Sequence, residues 1–378
     1  MTMTANTPRT PAPAGAASTI DRVDIIACSQ RQDDPSWRFA RGTITHVDGW
    51  IVALTARNGQ VGYGHVLGTP IFKPDTARIE PVLEALRREA RGQDAFALET
   101  LHRRLEAVAG AEVCALSGFV CAVYDLQARM LGVPLHVLLG GKVRDTVEAS
   151  RIVSIKSPED MAEQAAKLAR QGYRYLKLKL SGESELDVAR VRTVRGRLGE
   201  AVTLTVDANQ AYQADEAIRV CEALRPMGVV MMEQPVPAAD IEGLCRVHAA
   251  GALPIEADEA IAGLPGLVRL IGMGAADSYN LKVHYLGGIR NTLIAVRLCE
   301  AAGVGYRFGA IFGPRLLAAQ GVHVASVAGS IHAGAELAEF DHLLDDPFVG
   351  LEVEAGELAV PEGLGSGVDY QPASGGRA

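Results

Sequence analysis

Two lysines lie two residues apart in an otherwise apolar run, YRYLKLKLS, which covers residues 173–181. Side chains of a β-strand point alternately to its two faces, so Lys177 and Lys179 point to the same face. A lysine beside a divalent cation in a partly dry site has a lowered pKa and acts as a base near neutral pH. Lys179 lies nearer the strand end and is the better candidate base, while Lys177 would supply positive charge that lowers its pKa.

Further charged residues recur at the ends of later apolar runs, at Asp207, Glu233, Asp258 and Lys282. From Lys179 onward the intervals are 28, 26, 25 and 24 residues. Three carboxylates from neighbouring strands form a set of hard oxygen ligands that suits Mg²⁺ or Mn²⁺. Such a cation beside two lysines predicts abstraction of the proton next to a substrate carboxylate, because the cation stabilises the enediolate that forms.

These residues need elements that bring them to one rim. After Val147, short apolar runs alternate with amphipathic helical stretches. The predicted strands cover residues 147–155, 173–180, 202–208, 229–235, 253–259, 278–283, 304–310 and 332–340. Eight strands separated by helices are typical of a TIM-type barrel, whose active groups lie at the carboxyl ends of the strands.

The first 140 residues have a different, α+β pattern. GWIVALTARNGQVGYG at 49–64 has two β-rich runs around Asn58-Gly59 and predicts a hairpin, while residues 74–140 have helical spacing. Residues 1–18 are rich in Thr, Pro and Ala, and we predict a flexible N-terminal extension there.

Composition excludes several classes of protein. The formal net charge is -8, and no basic cluster with interleaved aromatics predicts a nucleic-acid partner. No apolar run reaches the ~18 residues of a membrane span. The six scattered cysteines have no zinc-like spacing, and we expect a reducing, cytoplasmic location. No glycine-rich phosphate loop follows a predicted strand, so we expect no nucleotide cofactor.

Five short motifs occur in a fixed order: KLKL, VDAN, MEQP, EADE and NLKV, the last followed by Gly287-Gly288. With AVYDLQARMLGVPLHVLLGG at 122–141, they resemble the enolase superfamily, within the muconate-lactonizing-enzyme-like subgroup of the mandelate racemase/muconate lactonizing enzyme family. The resemblance covers residues 20–370. The mandelate-racemase-like branch has a His on the seventh strand, whereas YRFGAIF here has none, so the sequence resembles the branch with two lysines.

This resemblance implies an α/β fold, a modified TIM barrel, (β/α)7β, with an α+β N-terminal capping domain. We predict the capping domain at 19–145, the barrel at 146–345, and a C-terminal segment at 346–378 that returns to the capping domain. The resemblance implies Mg²⁺ held by Asp207, Glu233 and Asp258, and acid/base roles for Lys179 and Lys282. It also suggests a homo-oligomer, either a dimer or an octamer.

Substrate-binding residues follow less directly from pattern. In this family two cap loops close over the barrel, which makes Trp37, His65 and Phe72 candidate substrate contacts. Asn209 is a candidate neighbour of the Asp207 ligand. Glu259 is an alternative to Asp258 as metal ligand, although the EADE motif favours Asp258.

The predicted eighth strand carries two acids. In dipeptide epimerases of the family, two acids spaced by one residue there hold the substrate ammonium group, whereas ELAE places Glu336 and Glu339 three apart. Strand alternation would turn them to opposite faces, so at most one points inward. This argues against a dipeptide and leaves room for a cationic substrate with one acidic contact.

The leading prediction is a Mg²⁺-dependent enzyme that abstracts the α-proton of a small carboxylate. Two lysines favour racemisation or epimerisation of an amino-acid derivative, of the proline type or modified on nitrogen. The alternative is a lyase or cycloisomerase, either a dehydratase of a hydroxy amino acid or a cycloisomerase of the muconate type, which needs one base. A non-catalytic barrel is disfavoured because all three carboxylates and both lysines are present.

Overall fold

The computed structural model describes residues 17–68, 76–310 and 312–371. Most of the predicted extension at 1–18 and the last seven residues of the predicted C-terminal segment lie outside these ranges. Within the described part, Ser18 is buried and its carbonyl accepts a hydrogen bond from the Ala95 N–H. The domain boundaries given above stay predictions.

A four-stranded antiparallel sheet forms the base of the N-terminal region. In sheet order its strands are Leu343–Leu344, Ile20–Gln32, His46–Ala56 and Val61–Leu67. The predicted hairpin joins the last two strands, and Gly59 at its turn has φ +86°, which residues with a Cβ seldom adopt. The strands Arg38–Phe39 and Gly42–Thr43 form a smaller hairpin before His46.

Four helices follow this sheet: Thr76–Ala90, Leu98–Ala109, Val113–Leu131 and Leu135–Leu138. The third is buried from Cys114 to Ala128, because it packs on the sheet and on a barrel helix, Ile289–Ala302. Close packing on the sheet depends on glycine at position 64, since a Cβ there would lie 1.9 Å from the Gly118 carbonyl oxygen. An all-round apolar helix is the expected result of burial on several sides.

Seven parallel strands form the second sheet, and their order in the sheet follows the chain. They are Ser150–Val153, Tyr175–Lys179, Thr203–Asp207, Val229–Glu233, Ile255–Ala257, Ser278–Leu281 and Gly305–Phe308. The helices that follow them in turn are Pro158–Arg170, Ser184–Leu198, Ala214–Leu224, Ile241–Ala250, Gly263–Met273, Ile289–Ala302 and Arg315–Ser326. Short 3₁₀ helices are Arg225–Met227 and Glu259–Ile261. The predicted α/β barrel is confirmed.

The barrel closes through residues 332–336 instead of a full eighth strand. Ala335 bridges Ala149 beside the first barrel strand, and the Glu336 N–H donates to the Phe308 carbonyl at 2.8 Å. The predicted strand over 332–340 is therefore too long. Ala333 and Gly334 have φ of +50° and +74°, which do not fit an extended strand, and Glu339–His342 is a 3₁₀ helix.

The C-terminal residues form short strands on both parts of the molecule. Val353–Glu354, Glu357–Ala359 and Thr146–Glu148 make a three-stranded sheet, and Phe348–Val349 pairs with Asp369–Tyr370. The segment also bonds the helices of the N-terminal region, because Arg129 donates to the Val368 carbonyl at 3.0 Å. Within the described residues, no helix has both the length and the apolar character needed to cross a membrane.

Candidate active site

Lys177 points into the barrel from the second barrel strand and is 1% exposed. Its Nζ lies 2.6 Å from Glu336, 2.9 Å from Glu233 and 3.4 Å from Asp207. Burial acts to lower the pKa of Lys177, but these carboxylates outweigh burial and raise it well above the usual value. Lys177 is therefore a fixed positive charge among three acids.

Lys179 lies two residues after Lys177 on the same strand and nearer the mouth of the barrel. Its Nζ is 2.5 Å from Asp207 Oδ2 and 3.0 Å from Asn209 Oδ1. Asn209 adopts φ +42°, and its N–H donates to Asp207 Oδ1 at 2.8 Å. The predicted neighbour of Asp207 thus bonds both the acid and the candidate base. The ammonium group also lies 5.8 Å from the centroid of the Phe39 ring.

The three predicted metal ligands come from three adjacent strands. Asp207 ends the third strand and pairs in register with Glu233 at the end of the fourth, and both are fully buried. Asp258 follows the fifth strand, and its N–H donates to Gln234 Oε1 at 2.9 Å, which fixes the turn. The Asp258 carboxylate accepts a hydrogen bond from Lys282.

Lys282 faces Lys179 across the barrel. With the closing segment at 332–336 taken as the eighth position, the second and sixth strands occupy opposite sides of the ring. Both lysines line one cavity of about 530 Å³. Burial acts to lower the pKa of Lys282, but Asp258 and Glu233 outweigh it, so the pKa is raised. The lowered lysine pKa expected beside a cation is thus not produced at Lys282 by the protein's own charges.

The donor set at the mouth has the chemistry of a divalent-ion site. Within the described residues, no group of three His, Cys, Asp or Glu side chains is close enough to hold a metal ion as it stands; each predicted ligand bonds a lysine instead. The ion pairs of the barrel interior nevertheless contain more acids than bases. The acids are Asp207, Glu233, Glu256, Asp258 and Glu336, and the bases are Lys177, Lys179, Lys282 and Arg307. Buried carboxylates in excess fit an added cation.

The wall that faces these charges comes largely from the N-terminal region and is mostly apolar, with Arg41 and Glu112 as charged members. Trp37, Phe39 and Leu67 line the cavity with Phe312, which follows the seventh strand. The Trp37 ring meets the Phe312 ring edge-on at 5.0 Å and lies 6.0 Å from Phe39. The loop that carries Trp37, at residues 33–37, is attached to the barrel, because Lys156 Nζ lies 2.7 Å from Asp34 Oδ2. Trp37 thus occupies a fixed place over the cavity.

The two acids predicted to contact substrate do not line the cavity. Glu336 Oε2 accepts hydrogen bonds from Lys177 and from the Ala310 N–H at 2.8 Å, so its charge is already used within the protein. Glu339 begins a 3₁₀ helix, and its carboxylate accepts from the Ile152 N–H at 3.3 Å. Glu336 therefore lies in the barrel interior, where its carboxylate is paired with the buried cations Lys177 and Arg307.

The remaining predicted contacts divide by position. Trp37 and Asn209 line the cavity, whereas His65 does not and is 2% exposed between the sheet and the loop at Gly313. Burial lowers the pKa of His65 to about 3. Phe72 lies outside the described residues. His284, two residues after Lys282, lines the cavity.

Sequence reasoning missed three buried polar residues below the mouth: Glu256, Asn280 and Arg307. Glu256 precedes Asp258 by two, and Asn280 precedes Lys282 by two, as Lys177 precedes Lys179. Strand alternation could therefore have identified both as inward residues. Arg307 could have been identified in another way. It lies between Tyr306 and Phe308 in a predicted strand, and a buried arginine needs an acidic partner.

Comparisons with known proteins agree with this fold. Residues 22–140 match the family described as mandelate racemase/muconate lactonizing enzyme, N-terminal domain, and residues 160–374 match the one described as enolase C-terminal domain-like. A D-Ala-D/L-Ala epimerase of Cytophaga hutchinsonii is 32% identical over 362 residues, which are 93% of this chain and 96% of the relative.

Two solved structures show the same architecture. The muconate lactonizing enzyme of Pseudomonas fluorescens, complexed with muconolactone, superposes with a TM-score of 0.90 at 27% identity, covering 94% of this chain and 97% of that chain. A dipeptide epimerase of Cytophaga hutchinsonii, complexed with Mg and the dipeptide D-Ala-L-Val, has a TM-score of 0.89 at 29% identity, with the same coverage. These relatives are isomerases, in agreement with the predicted class of enzyme. The chain belongs to the mandelate racemase/muconate lactonizing enzyme family of the enolase superfamily, within the muconate-lactonizing-enzyme-like subgroup.

Proposed function

We propose that this enzyme epimerises or racemises an amino-acid derivative by moving the proton on the carbon next to its carboxylate. One observation carries the proposal: Lys179 and Lys282 line one cavity from opposite sides of the barrel. The strand ends that carry the three predicted metal carboxylates lie between theirs in the strand order. A base on each face is what inversion at one carbon requires. An enzyme that only eliminates or adds a group needs a base on one face.

In this mechanism Lys179 removes the α-proton from one face of the substrate and Lys282 donates a proton to the other, with reversed roles for the other enantiomer. Asp207, Glu233 and Asp258 would hold Mg²⁺. When bound, that ion would supply positive charge that stabilises the developing negative charge on the substrate carboxylate. Lys177, held by Glu336, contributes a second fixed positive charge at the base of the cavity.

The nitrogen side of the substrate is proposed to carry a modified, uncharged nitrogen. Glu336 and Glu339 are bonded within the protein, so neither offers a carboxylate to a substrate ammonium group. Trp37, Phe39 and Phe312 present aromatic surface instead, which favours an acyl group or an apolar ring. This differs from the dipeptide that the Cytophaga hutchinsonii epimerase structure contains.

The test is α-proton exchange in D₂O with Mg²⁺, followed by NMR on three substrate sets: N-acetyl amino acids, N-acyl prolines, and dipeptides with a free amino terminus. We expect α-proton exchange and loss of optical activity with the first two sets. Excess EDTA should abolish both. Exchange with free dipeptides alone would reject the uncharged nitrogen and retain the epimerase. No exchange with any set would reject the epimerase.

Cycloisomerisation is the second candidate. The observation in its favour is the TM-score of 0.90 with a muconate lactonizing enzyme. Incubation with muconolactone, followed by the absorbance of a conjugated dicarboxylate product, tests it directly. Turnover of muconolactone without exchange of any amino-acid derivative would favour this second function.

We also propose that Mn²⁺ can replace Mg²⁺ at the three carboxylates, since both ions take oxygen ligands. A homo-oligomer, dimer or octamer, stays part of the proposal. Light scattering on the purified full chain measures the oligomeric state.

A further inference from the structure

Arg307 is the central cation beneath the candidate active site. It lies on the seventh barrel strand, Gly305–Phe308, and is 0% exposed. Its guanidinium reaches acids from three other positions of the barrel: Nη2 lies 2.7 Å from Glu233 Oε2, Nε lies 3.1 Å from Glu256 Oε2, and Nη1 lies 2.6 Å from Glu336 Oε1. The donors of a planar guanidinium point in fixed directions, whereas those of a lysine ammonium group can rotate.

Neither Arg307 nor its partners Glu256 and Glu336 belong to the described residues that line the cavity. Arg307 therefore would not contact a substrate bound in this cavity. Its action on the reaction has to pass through another residue. Glu233 is the one partner that is also a predicted metal ligand.

Three donors orient the Glu233 carboxylate. Oε2 accepts from Arg307 at 2.7 Å and from Lys177 at 2.9 Å, while Oε1 accepts from Asn280 Nδ2 at 3.0 Å. Among these three donors, Arg307 also forms an ion pair with Glu336, the acid that holds Lys177. Loss of Arg307 would leave Glu233 and Glu336 to share Lys177, and Glu256 would lose the cation that pairs with it.

Glu256 has the complementary role of anchoring the guanidinium. Both of its carboxylate oxygens face Arg307, and Oε1 also accepts from Ser278 Oγ at 3.0 Å. Arg307 is thereby held from the fifth strand while it reaches the fourth. The pair forms a rigid support below the ligand set.

We propose that Arg307 is a positioning residue that holds Glu233 in the orientation needed to bind the divalent cation, with Glu256 as its anchor. This inference rests on the proposed metal-dependent function. It assigns a role to two residues that contact neither substrate nor, by our assignment, metal. Such supporting residues typically change metal affinity by about 10- to 100-fold when they are replaced.

The experiment is calorimetric titration of the EDTA-treated full chain with MgCl₂, for the wild type, Arg307→Met, Glu256→Gln and the double variant. We expect a loss of Mg²⁺ affinity of about tenfold or more in Arg307→Met and in the double variant. Circular dichroism shows whether each variant is folded. The double variant removes one charge of each sign, so that it folds without an unpaired Glu256.

The double variant separates positioning from charge neutralisation. If Arg307 only neutralised Glu256, removing both would restore Mg²⁺ affinity, and a loss below about tenfold would overturn the proposal. Arg307→Lys keeps the positive charge but not the planar guanidinium, and this variant should also lose Mg²⁺ affinity. If the replacements at Arg307 leave affinity unchanged, Glu233 is held without it and the proposal fails.

Arg151 provides the matched control. It is a second buried arginine, 3% exposed on the first barrel strand, and its Nη2 lies 3.0 Å from His342 Nε2, away from the proposed ligands. Arg151→Met should lower stability but keep Mg²⁺ affinity; an equal loss there would mean that any barrel arginine has this effect and would overturn the proposal. A wild-type chain without Mg²⁺ affinity would reject the metal-dependent function as well, whereas normal wild-type binding with an unaffected Arg307→Met rejects only this inference.

Discussion

The barrel wall and the cap wall of the cavity differ in kind. On the barrel wall, Lys179, Asp258 and Lys282 take part in ion pairs that join different strands. The cap wall is formed by Trp37, Phe39 and Leu67 of the N-terminal region, and the Trp37 ring packs edge-on against Phe312, which follows the seventh barrel strand. Buried charges have to be paired in a defined geometry, whereas apolar surfaces accept many side chains of similar volume. We infer that the barrel wall sets the reaction and the cap wall selects the substrate.

The largest effect should come from replacing a lysine of the barrel wall. Lys179→Ala and Lys282→Ala each remove one proposed proton-transfer group, and such a group contributes about 10²- to 10⁴-fold to the rate. We expect kcat for epimerisation to fall within that range in both variants. Exchange in D₂O should show that each variant loses exchange with a different enantiomer.

Lys167→Ala is the control for both lysines, because Lys167 is exposed on the outer helix Pro158–Arg170. It should keep the wild-type rate. If either active-site variant exchanged both enantiomers at the wild-type rate, the assignment of one base to each face would be wrong.

A smaller effect should come from His65, which is buried outside the cavity lining, between the N-terminal sheet and Gly313. Burial lowers its pKa to about 3, from an unfolded value of about 6.5. Because the folded pKa is the lower one, neutral His65 stabilises the fold above pH 6.5, and this stability is lost as the pH falls toward 3. At pH 5 the loss in the free energy of unfolding should be about 2 kcal/mol.

Urea denaturation at pH 7 and pH 5 measures this difference. His65→Gln should reduce the difference by about the same 2 kcal/mol. His46→Gln is the control, since His46 is exposed on the same sheet. If the two variants had the same pH dependence, His65 would not be the group that responds.

The smallest effect should come from replacing an aromatic residue of the cap wall. Trp37→Phe keeps an aromatic ring but removes part of the apolar surface that faces the cavity. We expect KM for an N-acyl amino acid to rise about tenfold with kcat nearly unchanged, because the lost contact is uniform binding. Trp50→Phe, outside the cavity lining, should change neither constant. A fall in kcat at constant KM would place Trp37 in the chemistry and break the distinction between the two walls.

The sequence by itself determined the fold class, the family and the ionic residues of the barrel rim. A charged residue at the end of each successive apolar run reveals the register of a barrel, because one βα unit places one strand end on the same rim. Alternation also turned Lys177 and Lys179 to one face. These are short-range rules, and they act within a strand or between neighbouring units.

Only the tertiary structure decided which charges neutralise each other. Lys177 bonds Glu336 across 159 residues and Arg307 bonds Glu233 across 74 residues, and no local pattern encodes such pairs. Because of these distant contacts, Glu336 does not line the cavity. The positive φ angles of Ala333 and Gly334 do not fit the extended strand predicted there. The physical reason is that a buried charge is stabilised by whichever partner the closed barrel brings within about 3 Å, and closure joins residues that are far apart in the chain.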